Sequence, residues 1–234
     1  MMLCIAHRGA RAERPENTIA AIELAIKQGA DAIEIDVREH QGQLIIFHDE
    51  IVDRTTSSRG ELSNFSFEQL RQLDAGNGQK IPLLGEVILS IAQRVPLNIE
   101  LKDNASAPLV LACIEDFVSK GWEYKDFIVS SFFHPLLQSL KQQQPQLAIG
   151  ALSAGVMVDY AAFAQNLDAV SINLCSDSIN QAIIDDAHQR GLKVFIYTVN
   201  DIREFEQFYQ MGADGLFTDY PLKLKRWIEL KSKQ

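Results

Sequence analysis

Residues 191–218 read GLKVFIYTVNDIREFEQFYQMGADGLFT. The apolar run Lys193–Tyr197 predicts a strand, residues 201–210 have the apolar periodicity of a helix, and Gly215–Thr218 predicts a second strand. Gly212 closes the helical segment, as a glycine just after the last turn commonly does. A strand, a helix and a strand with short connections indicate two parallel strands with a helix packed outside them.

The same alternation runs through the rest of the chain. It predicts strands at Leu3–Ala6, Ala32–Val37, Leu97–Leu101, Phe127–Ser131, Leu147–Gly150, Ala169–Ile172, Lys193–Tyr197 and Gly215–Thr218. It predicts helices near residues 17–28, 84–94, 106–119, 134–143, 158–166, 178–190, 201–210 and 221–231. Units of about 29 residues predict an α/β fold, a (β/α)8 TIM barrel. The alternative is an open doubly wound sheet, but His7-Arg8-Gly9-Ala10 is not the glycine-rich phosphate turn usual in such sheets.

The predicted helix boundaries carry signals of their own. Asn17 precedes an apolar-periodic run and is expected to be an N-cap. Gly29 and Gly191 each follow a helical segment just before a strand, which is typical of a C′ glycine. These residues support the ends assigned to the helices.

One segment interrupts the alternation. Gln41-Gly42 is a turn signal, and Leu44–Phe47 after it predicts a strand that forms a hairpin with the second barrel strand. Residues 50–82 are then mostly polar, with one short helical stretch near Phe67–Leu73. We expect a single barrel domain over residues 1–234 with a short inserted cap at 50–82. A lid or binding loop and a solvated loop are both open for this segment.

Composition restricts the class of protein. The 234 residues are 47% hydrophobic and 23% charged, with a formal net charge of −9. This is an ordinary globular composition, and the acidic balance argues against a nucleic-acid partner. It does not exclude an anionic substrate, because the local charge of a cleft can oppose the net charge.

The cysteines and the N-terminal residues bear on the cellular compartment. Cys4, Cys113 and Cys175 are far apart and form no CxxC pair, so a reduced compartment is expected, with Cys4 and Cys175 as small core residues. The N-terminal MMLCIAHRG has no basic region or long apolar stretch, and no window approaches 18 apolar residues. We therefore expect a cytoplasmic protein without a secretory leader or stable membrane insertion.

Charged side chains collect at the predicted C-terminal ends of several strands. They are found in His7-Arg8, Glu34-Ile35-Asp36, His48-Asp49 and Glu100-Leu101-Lys102. Glu34 and Asp36 are two residues apart on a strand and so point to one face, which should be the lumen because the outer face meets apolar helices. Three carboxylates at one end of a lumen need a compensating cation, and oxygen ligands favour Mg2+ or Ca2+.

The structural alternative is a set of ion pairs, for example Glu34 or Glu100 with Arg8 or Lys102. His40, His134 and His188 are expected to be hydrogen-bonded structural residues. His7 and His48 differ, because each ends a strand beside a charged residue, and two histidines can divide general acid and general base work. An arginine and a lysine beside a divalent cation favour phosphate. The residues thus predict a metal-assisted phosphoester reaction with no identified leaving group.

The chain also carries an ordered series of motifs. It comprises His7-Arg8-Gly9, Pro15-Glu16-Asn17-Thr18, Glu34-Ile35-Asp36-Val37, Phe47-His48-Asp49, Asp53-Arg54-Thr55-Thr56, Gly60, Ile81-Pro82, Asn98-Ile99-Glu100-Leu101-Lys102, Ser130-Ser131-Phe132, Thr198-Val199-Asn200, Gly212-Ala213-Asp214-Gly215 and Thr218-Asp219-Tyr220-Pro221. In this series the chain resembles the glycerophosphodiester phosphodiesterases over nearly its whole length.

The resemblance implies roles for particular residues. His7 and His48 would be the acid–base pair. One divalent cation, Mg2+ or Ca2+, would be held by Glu34, Asp36 and Glu100, while Arg8 and Lys102 would meet the phosphate. Glu16 and Asn17 would lie at the rim of the site, and Phe132 and Tyr197 would be apolar contacts for the glycerol or barrel packing. The substrate would be a small glycerophosphodiester, hydrolysed to sn-glycerol 3-phosphate and an alcohol.

Three other functions are open. Many family members have tryptophan where this chain has Tyr197, so the substrate is less certain than the reaction type. One alternative is a phospholipase D-type hydrolase of lysophospholipids. A non-catalytic phosphate-binding barrel is the second, but no histidine or carboxylate of the set is lost. The third is a lyase or aldolase in which Lys102 forms a Schiff base. The sequence does not indicate an oligomeric partner.

Overall fold

The computed structural model describes residues 2–233. Its strands are β1 Leu3–His7, β2 Ala32–His40, β3 Gln43–Ile46, β4 Leu97–Leu101, β5 Phe127–Ser131, β6 Ala148–Ser153, β7 Ser171–Cys175, β8 Lys193–Tyr197 and β9 Gly215–Thr218. Its helices are α1 Ile19–Lys27, α2 Phe67–Gln72, α3 Leu84–Ile91, α4 Ser106–Ser119, α5 His134–Gln143, α6 Ala162–Asn166, α7 Gln181–Gln189, α8 Ile202–Met211 and α9 Pro221–Lys231.

The parallel strands form a closed barrel. They pair in the order β1-β9-β8-β7-β6-β5-β4-β2, and β1 also pairs with β2, which closes the ring. The closure places His7 beside Glu34, and the β2–β4 register places Asp36 beside Glu100. The predicted (β/α)8 barrel is therefore confirmed, and the open doubly wound sheet is excluded because each of the eight parallel strands has a parallel neighbour on both sides.

Strand β2 shows how the alternation of side chains builds the core. Ile33, Ile35 and Val37 are fully buried in the apolar layer between the strands and the surrounding helices. Glu34 and Asp36 alternate with them and point into the lumen, since successive side chains of a strand point to opposite faces. Each buried isoleucine stabilises the fold by about 1.5–3 kcal/mol, which fixes the register that directs the acidic residues inward.

The helix-boundary predictions are partly confirmed. Gly29 and Gly191 have φ values of 85° and 76°, in the left-handed region expected of C′ glycines. The N-cap of α1 is Thr18 rather than Asn17, because the Thr18 hydroxyl accepts a hydrogen bond from the Ala21 amide. Asn17 has a φ of 56°, which asparagine tolerates, and its side chain is directed at Asp36 instead.

Some predicted boundaries were wrong by a few residues. Strand β7 begins at Ser171 and not at residue 169, because its ladder with β6 starts where Ser171 pairs with Gly150. Helix α6 covers only Ala162–Asn166 of the predicted 158–166. Apolar periodicity does not show where the backbone pairing begins.

Among residues 2–233, no helix combines the length and apolar character needed to cross a bilayer.

The inserted segment folds around a small core of its own. β3 pairs antiparallel with β2, as the hairpin prediction required. A separate apolar cluster follows, formed by Ile45, Phe47, Val52, Leu62, Leu70, Ala75 and Ile81. Gly76 packs so closely against the β1–α1 loop that a Cβ there would lie 2.8 Å from Pro15 Cγ. Apolar side chains of residues 50–82 thus pack with those of the β3 segment, and Gly76 lies against the β1–α1 loop.

Candidate active site

A cavity of about 290 Å3 opens at the C-terminal ends of the barrel strands. It is lined by His7, Arg8, Glu34, His48, Asn98, Glu100, Lys102, Ser130, Phe132, Leu152, Tyr197, Thr198 and Phe217. Most of the predicted site residues therefore meet in one pocket, where barrel enzymes carry out their chemistry. Asp36 and Asn17 are buried directly behind the wall of the pocket, and Glu16 lines an adjoining cleft shared with the inserted segment.

Three carboxylates form a cluster at the wall of this pocket. Each of Glu34, Asp36 and Glu100 contributes one carboxylate oxygen, and these three oxygens lie within 4.8 Å of one another. Glu34 Oε1 and Asp36 Oδ1 are buried and have no hydrogen-bond partner among the described residues. Burial and the neighbouring carboxylates raise the pKa of Glu34 and of Glu100. Unsatisfied buried carboxylate oxygens converging on one point fit a hard divalent cation, so this donor set could hold one.

Arg8 and Lys102 lie against the same carboxylates. Arg8 Nε is 2.9 Å from Asp36 Oδ2 but is not aligned for a hydrogen bond, and Lys102 Nζ is 2.6 Å from Glu100 Oε1. Burial would raise the pKa of Asp36, but Arg8 and Lys102 outweigh it and lower that pKa. The ion pairs expected as the structural alternative are therefore present, yet they leave Glu34 Oε1 unsatisfied. Ion pairing alone does not account for the cluster.

Each of the two candidate catalytic histidines is oriented by an aspartate. His7 Nδ1 is 2.8 Å from Asp219 Oδ1, and His48 Nδ1 is 2.5 Å from Asp49 Oδ1. Because an ionised carboxylate only accepts, each Nδ1 carries the hydrogen and each Nε2 is left with a free lone pair. Burial lowers the pKa of both histidines below the usual value, which favours their neutral form.

The other histidines have structural partners, as predicted. His40 Nε2 and His134 Nε2 each lie 2.8 Å from a backbone carbonyl oxygen, of Phe65 and Leu152 respectively. His188 pairs with Asp214 at 3.0 Å. None of the three lines the pocket.

Several residues in or next to the site were not predicted from the sequence. Asp219 and Asp49 were quoted only as parts of motifs, although each follows a strand end and can supply the acceptor that a histidine needs. Asn98 was also missed, and its place two residues before Glu100 on β4 was a usable signal for the same face. Arg54 was quoted only within a motif, because its partner Glu16 is 38 positions away in the sequence, although its other partner Asp49 is only 5 positions away.

The two predicted aromatic residues form one wall of the pocket. The rings of Phe132 and Tyr197 meet edge to face, with centroids 6.1 Å apart. The Tyr197 hydroxyl, which is the departure noted in the sequence, donates a hydrogen bond to the Ser153 carbonyl at 3.1 Å. That hydroxyl is therefore used to tie β8 to β6, and the ring supplies an apolar surface.

The cysteines lie outside the pocket lining. Burial raises the pKa of Cys4 to about 12 and that of Cys113 to about 11, which keeps both as unreactive thiols. Cys4 is a core residue as predicted, whereas Cys175 is only half-buried at the end of β7.

The site and the barrel agree with a family match that covers almost the whole chain. The family described as the glycerophosphoryl diester phosphodiesterase family matches residues 7–223. The chain belongs to the glycerophosphoryl diester phosphodiesterase family. The resemblance found in the sequence motifs is thereby confirmed, and the chain is a member of a family of phosphoric diester hydrolases.

Individual relatives of the glycerophosphoryl diester phosphodiesterase family support this. The chain is 36% identical over 232 residues to a glycerophosphodiester phosphodiesterase of Caldanaerobacter subterraneus, with 94% of each chain covered. It is 34% identical over 236 residues to a putative glycerophosphodiester phosphodiesterase of Bacillus subtilis, with 94% of this chain and 95% of the relative covered. It superposes with a TM-score of 0.88 and 31% identity on a phosphodiesterase of Oleispira antarctica in complex with its product sn-glycerol-3-phosphate, with 97% and 96% covered.

Proposed function

We propose that this protein is a metal-dependent hydrolase of glycerophosphodiesters that releases sn-glycerol 3-phosphate and an alcohol, with His7 and His48 as the acid–base pair. The observation that carries the proposal is a pair of imidazoles that face one pocket, each fixed by an aspartate. They lie beside the carboxylate cluster and the side chains of Arg8 and Lys102. The Oleispira antarctica phosphodiesterase with bound sn-glycerol-3-phosphate supports the substrate class. We propose a single catalytic domain, capped by residues 50–82.

The carboxylates of Glu34, Asp36 and Glu100 would hold one divalent cation, Mg2+ or Ca2+. When bound, such an ion supplies charge neutralisation and Lewis acidity toward a phosphoryl group. Asn17 assists from behind, because its amide donates to Asp36 Oδ2 at 2.8 Å and fixes that carboxylate. The backbone amide of Arg8 does the same for Glu34 Oε2 at 2.9 Å.

The remaining pocket residues bind the substrate and move protons. Arg8 and Lys102 bind the phosphate oxygens, while the ring faces of Phe132 and Tyr197 pack against the glycerol carbons. One imidazole Nε2 accepts the proton of the attacking hydroxyl, from water or from the neighbouring glycerol hydroxyl. The other, in its protonated form, gives a proton to the leaving alcohol. Lys102 pairs with Asp36 and Glu100, a setting that suits the binding of an anion better than the formation of a Schiff base.

Lysophospholipids are a second candidate substrate class. Phe133 and Val158 follow β5 and β6, whose C-terminal ends reach the pocket, and both are largely exposed. Exposed apolar side chains in the segments that follow these strands offer a surface for an acyl chain.

A product assay tests the proposal. Purified protein is incubated with glycerophosphocholine, glycerophosphoethanolamine or lysophosphatidylcholine, in EDTA and then with Mg2+ or Ca2+ restored. We expect glycerol 3-phosphate from the first two substrates, abolished by EDTA and recovered with the metal. His7→Ala and His48→Ala should each lose about 10²–10⁴-fold in kcat. Turnover that survives complete metal removal, or mild losses in the histidine variants, would contradict the proposal.

A further inference from the structure

Arg54 of the inserted segment joins two carboxylates, Glu16 from the β1–α1 loop and Asp49 from the segment after β3. Its Nε donates to Asp49 Oδ2 at 2.7 Å, and its Nη1 and Nη2 donate to the two oxygens of Glu16 at 2.8 Å each. The guanidinium therefore uses its rigid fork bidentately on Glu16 and keeps one donor for Asp49. Arg54 is absent from the lining of the catalytic pocket and lines the adjoining cleft.

Asp49 links this arginine to a catalytic group. One oxygen of Asp49 accepts from Arg54, and the other accepts from His48 Nδ1. We propose that Arg54 is a positioning residue for the reaction, which holds Asp49 so that His48 keeps its tautomer and aims Nε2 into the pocket. The proposal rests on the acid–base role of His48 proposed above.

The inserted segment holds Arg54 in place. Val52, two residues earlier, is fully buried in the segment's own core, and its amide bonds to the Gly60 carbonyl. The Thr56 amide and hydroxyl both bond to the Val52 carbonyl, which fixes the turn that carries Arg54. The contact of Gly76 with Pro15 seats the segment beside Glu16. A side chain on such a fixed turn is suited to positioning others.

The same network extends to the other histidine. Glu16 also accepts from Arg8 at 2.8 Å and lies 3.4 Å from Arg11, and Arg11 Nε lies 3.5 Å from Asp219 Oδ1. Charged contacts thus run without a break from His48 through Asp49, Arg54, Glu16, Arg11 and Asp219 to His7. Arg54 is the link that comes from the inserted segment, so the segment is coupled to the acid–base pair.

A role in stability alone does not explain this arrangement. The Arg54 side chain is 44% exposed, so solvent screens its ion pairs and weakens their contribution to the stability of the fold. The reaction rate is far more sensitive to the orientation of a catalytic group, because a displacement of about 1 Å can lower the rate about 10²-fold. Loss of Arg54 should therefore affect catalysis much more than folding.

The test compares Arg54→Ala and Arg54→Lys with Arg59→Ala. Arg59 is an exposed arginine of the same segment that forms no salt bridge with any residue from 2 to 233. We expect a fall in kcat of about 10²-fold for Arg54→Ala, with KM much less affected, because Asp49 no longer holds His48. Arg54→Lys should recover part of the rate, since one ammonium can pair with Asp49. Arg59→Ala should keep the parental kcat.

Two further readouts separate positioning from folding. Millimolar guanidinium should restore activity to Arg54→Ala, because the vacated position is open to solvent, whereas sodium at equal ionic strength should not. In NMR spectra of metal-loaded protein, the hydrogen-bonded Nδ1–H signal of His48 should weaken in Arg54→Ala while that of His7 persists. A parental kcat in Arg54→Ala, or an unchanged His48 signal, would overturn the proposal. If the wild-type protein hydrolysed none of the diesters, the proposed function would be contradicted. The NMR signal of His48 in Arg54→Ala would still show whether Arg54 holds the Asp49–His48 hydrogen bond in place.

Discussion

Glu34 is the residue whose environment most clearly requires a partner that the chain itself does not provide. It is buried, Oε1 has no hydrogen-bond partner among the described residues, and Asp36 and Glu100 lie next to it. A buried carboxylate left in this state destabilises the fold unless a proton or a cation neutralises it. Its effect on stability should therefore depend on pH and on metal.

Replacement of Glu34 by glutamine tests that dependence. The pKa of Glu34 is raised in the folded state by burial and by its carboxylate neighbours, so metal-free stability is lost as pH rises above about 4.5 toward the folded pKa. We expect metal-free Glu34→Gln to have a higher Tm than wild type at pH 8, and a smaller gain on adding Mg2+ or Ca2+. Calorimetry should show weaker metal binding. Equal metal affinity in the two proteins would remove Glu34 from the proposed ligand set.

The His7–Asp219 pair gives a prediction for the pH profile. Burial lowers the pKa of His7, and the hydrogen bond and charge of Asp219 partly raise it again. Asp219→Asn removes that charge, so the His7 pKa should fall further. The limb of the kcat/KM profile that belongs to His7 should then move to lower pH, whichever proton-transfer role the residue has. A limb that stays in place or moves to higher pH would contradict the pairing.

At the scale of elements, β2 and the inserted segment contribute different side chains to the site. β2 presents Glu34 and Asp36 to the lumen because its alternate residues are buried on the outer face. The inserted segment reaches the same site from outside through Arg54. Its seating depends on Gly76, whose φ is +101° and whose close approach to Pro15 leaves no room for a Cβ.

Gly76→Ala should displace the inserted segment, and Gly78→Ala is its matched control. Both glycines have positive φ, but a Cβ at Gly78 meets nothing within 4 Å. Backbone strain of about 1–2 kcal/mol should lower the Tm of both variants. Only Gly76→Ala should also lose kcat, because moving the segment off Pro15 separates Arg54 from Glu16. Equal losses of kcat in the two variants would show that contact with Pro15 does not matter for catalysis.

At the scale of the whole molecule, barrel closure is what makes one site out of distant segments. His7 and Asp219 are 212 positions apart in the chain, and they meet because β1 pairs with β9. Closure also concentrates Arg8 and Lys102 in the pocket of a protein whose net charge is −9. The local charge of a cleft can thus suit a phosphate that the molecule as a whole would repel.

The amino-acid sequence by itself determined the strand–helix units, the charged residues at the strand ends and the family, because periodicity and motif spacing are local properties of the chain. Tertiary structure alone decided how the ring closes and which residues stand behind the site. The pairing of His7 with Asp219, the contact of Asn17 with Asp36 and the bridge from Arg54 to Glu16 all depend on it. The physical reason is that such contacts depend on the distances between segments that packing brings together. Apolar periodicity does not indicate those distances.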